Sequence, residues 1–202
     1  MTHSTDAAHA ADPLAALRAA TAGRHELLDS GLPIGTPQAS LRDYAAHLAL
    51  LRAWLAPLQA WSMTYADGPQ GTPDFDNGAR LALIDADLGE PYMPAAPAVS
   101  AGDIPGVNPW PDGASAAWRW GVAYVVEGSQ LGGAVLYARL RERLAPHPLR
   151  YLQGQDDGPG PRWRVFMQAL RAHVRTPAEI AEACAGACAA FDRILALRAV
   201  IR

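Results

Sequence analysis

Residues 124–136 read YVVEGSQLGGAVL, and three glycines, Gly128, Gly132 and Gly133, fall inside a run whose apolar positions otherwise belong to a helix. Glycine loses more conformational freedom on folding than any other residue, so each one costs up to about 1 kcal/mol relative to alanine in a helix interior. Some 2–3 kcal/mol of destabilisation therefore needs a counterpart. At 3.6 residues per turn, Gly121, Gly128 and Gly132 lie within about 40° of one another around the axis. They make a strip of helix without Cβ atoms. Three uses of such a strip remain open: a second helix pressed close, a kink, or a flat ligand lying against bare backbone.

A hundred residues upstream, residues 17–29 read LRAATAGRHELLD. On a helix, His25 falls in the stripe of Leu14, Thr21 and Leu28, and Arg18 lies seven residues earlier on nearly the same face. Asp29 is four residues on, within reach of the far imidazole nitrogen. This pattern fits a core histidine with a satisfied hydrogen bond. That is the plainer reading of the segment taken alone, and the alternative is a metal ligand oriented by a carboxylate behind it.

Helix signals dominate the rest of the chain. Asp12-Pro13 is an N-cap with proline at the first helical position, predicting a helix from 14 to about 29 that Gly31 and Pro33 stop. Ser40 with Asp43 is a variant capping box. The stripe Leu41, Tyr44, Leu48, Leu51, Leu55 and Leu58 follows, with Pro57 expected to kink the helix near its end. A loop over 65–78, a short helix over 79–88 and irregular surface over the proline-rich 89–113 come next. A glycine-interrupted helix over 115–144 is predicted, then a loop over 154–161 and a helix over 163–174. The last helix is capped by Thr176 and Glu179, with Ile180, Cys184, Ala187, Phe191 and Ile194 on its inner face. No strand alternation and no repeat occurs. The expected fold is all-α, a single compact multi-helix domain over 13–202 behind a flexible N-terminal tail over 1–12.

Composition narrows the function. A formal charge of −3 exerts no global pull toward nucleic acid or an anionic membrane. No stretch approaches the ~18 apolar residues of a membrane span, and the first dozen residues lack the layout of a signal peptide. All seventeen basic residues are arginine, so an anionic ligand would be held by arginine, hydroxyls or backbone N–H groups. Cys184 and Cys188 read as small core residues kept reduced in a cytosolic setting, with a CxxxC redox or metal site as the alternative.

Taken together, the two segments resemble the bacterial heme oxygenase family: LRAATAGRHELLD is similar to its proximal helix and YVVEGSQLGGAVL to its distal helix. The similarity runs from about residue 14 to 197. It implies heme held between a proximal and a glycine-kinked distal helix, with His25 as the iron ligand; should His25 not serve, His47 and His173 are the next candidates. It implies Arg18 on a heme propionate and Asp29 supporting the imidazole. Gly128, Gly132 and Gly133 would admit porphyrin and dioxygen against the backbone. Ser129 stands where animal enzymes carry an aspartate that holds distal water, and bacterial members tend to lack that aspartate. Arg164 and Arg171 read as solvent-facing charge, with a propionate role as the alternative.

The activity that the resemblance implies is oxidative cleavage of heme, both cofactor and substrate, by dioxygen to biliverdin, carbon monoxide and ferrous iron. Electrons would come from an external ferredoxin- or flavoprotein-type reductase, since no nucleotide-binding loop is present. The expected location is the cytoplasm, and a bacteriophytochrome is an expected acceptor of biliverdin. The alternative is a non-enzymatic heme carrier or sensor. The same fold also hosts thiamin-degrading and cofactor-synthesis enzymes that bind no heme and would not require His25 with the glycines.

Overall fold

The computed structural model describes residues 12–72, 75, 77–98, 109–154 and 158–200. Among these, seven α-helices and two short 3₁₀ turns account for all regular structure. The helices are α1 (Pro13–Asp29), α2 (Leu41–Ser62), α3 (Gly78–Leu88), α4 (Ala116–Leu140), α5 (Arg150–Gln153), α6 (Pro159–His173) and α7 (Pro177–Val200). No helix among the described residues is long and apolar enough to cross a membrane.

Local chemistry sets most of the ends. Asp12 caps α1 by accepting the Leu14 N–H, with Pro13 at the first helical position. The same carboxylate pairs with Arg171 at 3.0 Å, and that pairing holds its pKa below the usual carboxylate range. Asp12, the last residue of the expected tail, thus serves as the α1 cap, and residues 1–11 lie outside those described. Ser40 and Asp43 close the reciprocal capping box of α2. Helix α2 runs five residues past Pro57 to Ser62. At α7, Glu179 accepts the N–H groups of Arg175 and Thr176 while Thr176 Oγ1 accepts that of Glu179.

Two expectations need revision. The proline-rich segment after α3 is irregular where described, and residues 99–108 lie outside the described set. Its end, however, is core rather than surface. Trp110 is buried and stacks on Trp61 at 5.3 Å, and the Pro111 carbonyl accepts the Trp61 indole N–H. Trp61, Tyr65, Trp110 and Trp118 form one cluster of ring contacts there, and aromatic burial and stacking hold the end of the segment in place. Helix α4 also runs unbroken as α-helix through its glycines but ends at Leu140, short of the prolines.

The core is a bundle around α4 and α7. Gly121 and Gly186 form a mutual seam: a Cβ on Gly121 would overlap the Ala183 carbonyl, and one on Gly186 would overlap that of Trp118. The missing side chains let the two backbones touch. Around this seam pack Leu14 and Leu17 of α1, Trp54 and Leu55 of α2, Trp120 of α4, Phe166 and Leu170 of α6, and Ala187 and Ile194 of α7. On α7, Ile180, Ala187, Phe191 and Ile194 are buried as expected, while Cys184 is half-buried. Both cysteines are free thiols, and Cys188 donates to the Ala20 carbonyl at 3.5 Å.

Candidate functional site

Beyond the Gly121–Gly186 seam, α4 separates from its neighbours, and a cavity of about 520 Å³ opens between α1, α2, α4 and α7. This is the size of a pocket for a small organic ligand or cofactor. Arg18, His25, Asp29, Gly128, Ser129, Gly132 and Gly133 all line it. The two stretches singled out in the sequence therefore line one space.

On the α1 wall, His25 Nδ1 meets Asp29 Oδ2 at 3.0 Å, one turn apart on the helix. A carboxylate accepting from Nδ1–H leaves the Nε2 lone pair free to coordinate. The ring touches Phe191 edge-on at 5.9 Å, yet the side chain is 64 % exposed. His25 is not a core histidine. Arg18, also exposed at the cavity, has no hydrogen bond or carboxylate partner among the described residues. Asp12, whose carboxylate feels its charge, is committed to Arg171.

On the α4 wall, a Cβ at Gly132 would meet nothing within 4 Å. At Gly128 the nearest atoms are those of the Trp163 ring at 3.8 Å, and at Gly133 a Leu152 methyl at 3.9 Å. No neighbouring helix requires glycine at these positions. Their missing side chains border open cavity instead, whereas Gly121 is consumed by the helix crossing. The strip seen in the sequence has two uses along its length. Ser129 Oγ donates back to the Val126 carbonyl at 2.7 Å, so its one hydrogen is held by its own helix.

The remaining walls are apolar, with Leu50, Leu51 and Trp54 of α2 and Ile194 of α7. His47 is among them. Its Nδ1 is shielded without a partner, and burial pushes its pKa down to about 4, so it is a neutral imidazole. Tyr124, Tyr151 and Trp163 also line the space and were not singled out beforehand. Tyr124 lies one turn before Gly128, a spacing from which it was readable. Trp163 sits at 5.7 Å from Tyr124 and gave no such signal. His173 stacks on Trp120 at 5.2 Å, away from the cavity. Arg171 is paired with Asp12, and Arg164 is exposed outside the cavity lining.

This donor set fits heme. Among the described residues no three histidine, cysteine, aspartate or glutamate side chains gather as a set for a bare metal ion. One imidazole suffices where a porphyrin supplies the other ligands. A largely apolar cavity, a glycine cradle that a Cβ would fill, and an arginine with no carboxylate partner among the described residues complete the match.

No family model matches the chain. A curated heme oxygenase from Xanthomonas campestris pv. campestris (strain 8004) is 43% identical over 83 residues, covering 40% of this chain. The match spans 50% of that relative's own length. A heme oxygenase from Neisseria meningitidis, solved with NO and CO bound, superposes with a TM-score of 0.67 at 26% identity. It covers 94% of this chain and 92% of the other.

The chain is thus similar to bacterial heme oxygenases in both sequence and structure. Its all-α fold is the heme oxygenase fold, and the cavity lies between the helices that the family resemblance picked out as proximal and distal. Within the heme oxygenase frame, Ser129 is turned toward its own backbone, and the open glycines are what distinguish the α4 wall.

Proposed function

We propose that this chain is a biliverdin-producing heme oxygenase. The observation that carries the reading is the pairing of two walls of one cavity: His25, backed by Asp29, lines it together with glycines whose missing side chains border open space. When bound, heme supplies the iron that activates dioxygen and the meso carbon that is oxidised, with biliverdin, carbon monoxide and ferrous iron as products.

The protein contributes placement and electrostatics. His25 offers Nε2 to the iron, and Asp29 holds the Nδ1–H tautomer and the ring plane. Arg18 orients the macrocycle through a charge-assisted pair with a propionate. Gly128, Gly132 and Gly133 admit the porphyrin and dioxygen against backbone. Water held by backbone groups there takes the place of a carboxylate. Ser129 is secondary because its hydrogen is already bound to Val126. Electrons are supplied from outside by a ferredoxin- or flavoprotein-type reductase, and the cytoplasm is the proposed location. A bacteriophytochrome is a fitting acceptor for the pigment.

Hemin binding followed by reduction tests this reading. With ascorbate or a reductase in air, the hemin complex is expected to lose its Soret band and release bile pigment. A Soret band that persists through many equivalents of reductant makes the protein a heme carrier or sensor instead.

A further inference from the structure

Helix α5 is only four residues long and begins from Leu149, a fully buried non-glycine residue in the left-handed region at φ 52°. Such a conformation persists where the surroundings over-determine it. Here the surroundings are Asp87, a carboxylate with no exposed surface. It accepts the Tyr44 hydroxyl at 2.6 Å, the Tyr151 N–H at 2.9 Å, and both the Arg150 N–H and guanidinium at 3.1 and 3.3 Å. Four donors converge on one buried charge, and the residue they fix is Tyr151.

Tyr151 lines the cavity beside Gly128, Ser129 and Gly132, with 4 % of its surface exposed. Gln130 Nε2 donates to its hydroxyl oxygen at 3.0 Å. The Ser129 hydroxyl also lies in hydrogen-bonding reach of the phenol, but its hydrogen goes to Val126 O. An amide that donates into one lone pair fixes the oxygen and leaves the phenol's own hydrogen to be given elsewhere. Gln130 is not among the residues that line the cavity, and the Ser129 hydrogen is held by its own helix, so the phenol of Tyr151 is the donor left beside these glycines.

We propose that Tyr151 is the hydrogen-bond donor of the distal wall, holding the water or dioxygen that lies between the porphyrin face and Gly128 and Gly132. The inference rests on the heme reading above. Burial pushes the Tyr151 phenol up from its ordinary pKa. The group therefore stays neutral, a donor rather than a phenolate competing with His25 for iron.

Hemin complexes of the wild type, Tyr151→Phe and Gln130→Ala test this. In the ferric state, the pH midpoint of the spectral deprotonation is expected to rise by about half to one unit in Tyr151→Phe. That is the size of one hydrogen bond lost from the deprotonated form. The C–O stretch of the ferrous CO complex moves to higher frequency for the same reason. Gln130→Ala, which keeps the phenol but frees its orientation, shows a smaller rise. An unchanged midpoint and C–O stretch in Tyr151→Phe overturn the inference while leaving the heme reading intact. Should that variant fail to fold, an unchanged midpoint in Gln130→Ala overturns it. Absence of a one-to-one hemin complex in the wild type overturns the heme reading itself.

Discussion

Helix α4 carries glycine in two places for two different reasons. At Gly121 the neighbour is the backbone of α7, so close that a methyl group would overlap Ala183 O. Two turns later, at Gly128 and Gly132, the same helical face borders a cavity, and the nearest atoms to a Cβ are an aromatic ring at 3.8 Å or nothing within 4 Å. The first glycine stabilises the fold by letting two helices touch. The second pair destabilises the helix without any close packing in return, a cost that the proposed heme site would explain. Glycine identity and angular position are the same in both places, and the contrast comes entirely from the partner across the gap.

Substitution on the two sides of that boundary should separate stability from function. The largest effect is expected at Gly132→Leu, which fills the cradle: the apo-protein should melt at or above the wild-type temperature while biliverdin formation is lost. A variant that turns over heme normally would break the contrast at its functional end. Gly121→Val should do the reverse. Overpacking the seam costs on the order of 3 kcal/mol. In a domain of this size that lowers the melting temperature by about 6–12 °C. A melting curve unmoved by this change would remove the seam from the account.

His25→Ala is expected to weaken hemin binding and shift the absorption spectrum, both partly restored by added imidazole, with little change in apo stability because the side chain is largely exposed. Arg18→Ala should move the apo melting temperature by about 1 °C or less, since an exposed arginine contributes little to stability. Hemin affinity should fall or the biliverdin isomers mix, and unchanged affinity and isomer ratio would unseat the propionate contact. The smallest effect is expected from Ser129→Ala, a modest slowing of turnover, because the hydroxyl is bonded to its own helix. A dead Ser129 variant would hand the distal function from backbone to hydroxyl.

Much of this was legible from local patterns. The caps at Asp12, Ser40 and Thr176 stand within a residue or two of where they act, so their chemistry is visible in the sequence itself. The His25–Asp29 pair is an i,i+4 contact, which helix geometry alone produces. Whether His25 was core or cavity was not legible, because that depends on what stands opposite. Helix α5 was missed altogether: Leu149 to Gln153 carry no periodic pattern, and the group that organises them, Asp87, is over sixty residues away in the chain. Tyr151 entered the site by that route. Cys184, assigned to the inner face of α7 on periodicity, packs half-buried against the core.

The sequence by itself determined the helical class, the ends of most helices and the two stretches on which the family resemblance rests, because periodicity and capping act over three or four residues. Only the tertiary structure decided that those stretches line one cavity, that Gly121 belongs to a helix crossing and Gly132 to a cradle, and that a buried carboxylate on α3 delivers a tyrosine to the α4 wall. These are contacts between residues sixty to a hundred and seventy positions apart, and nothing in a local pattern encodes the distance between two helices.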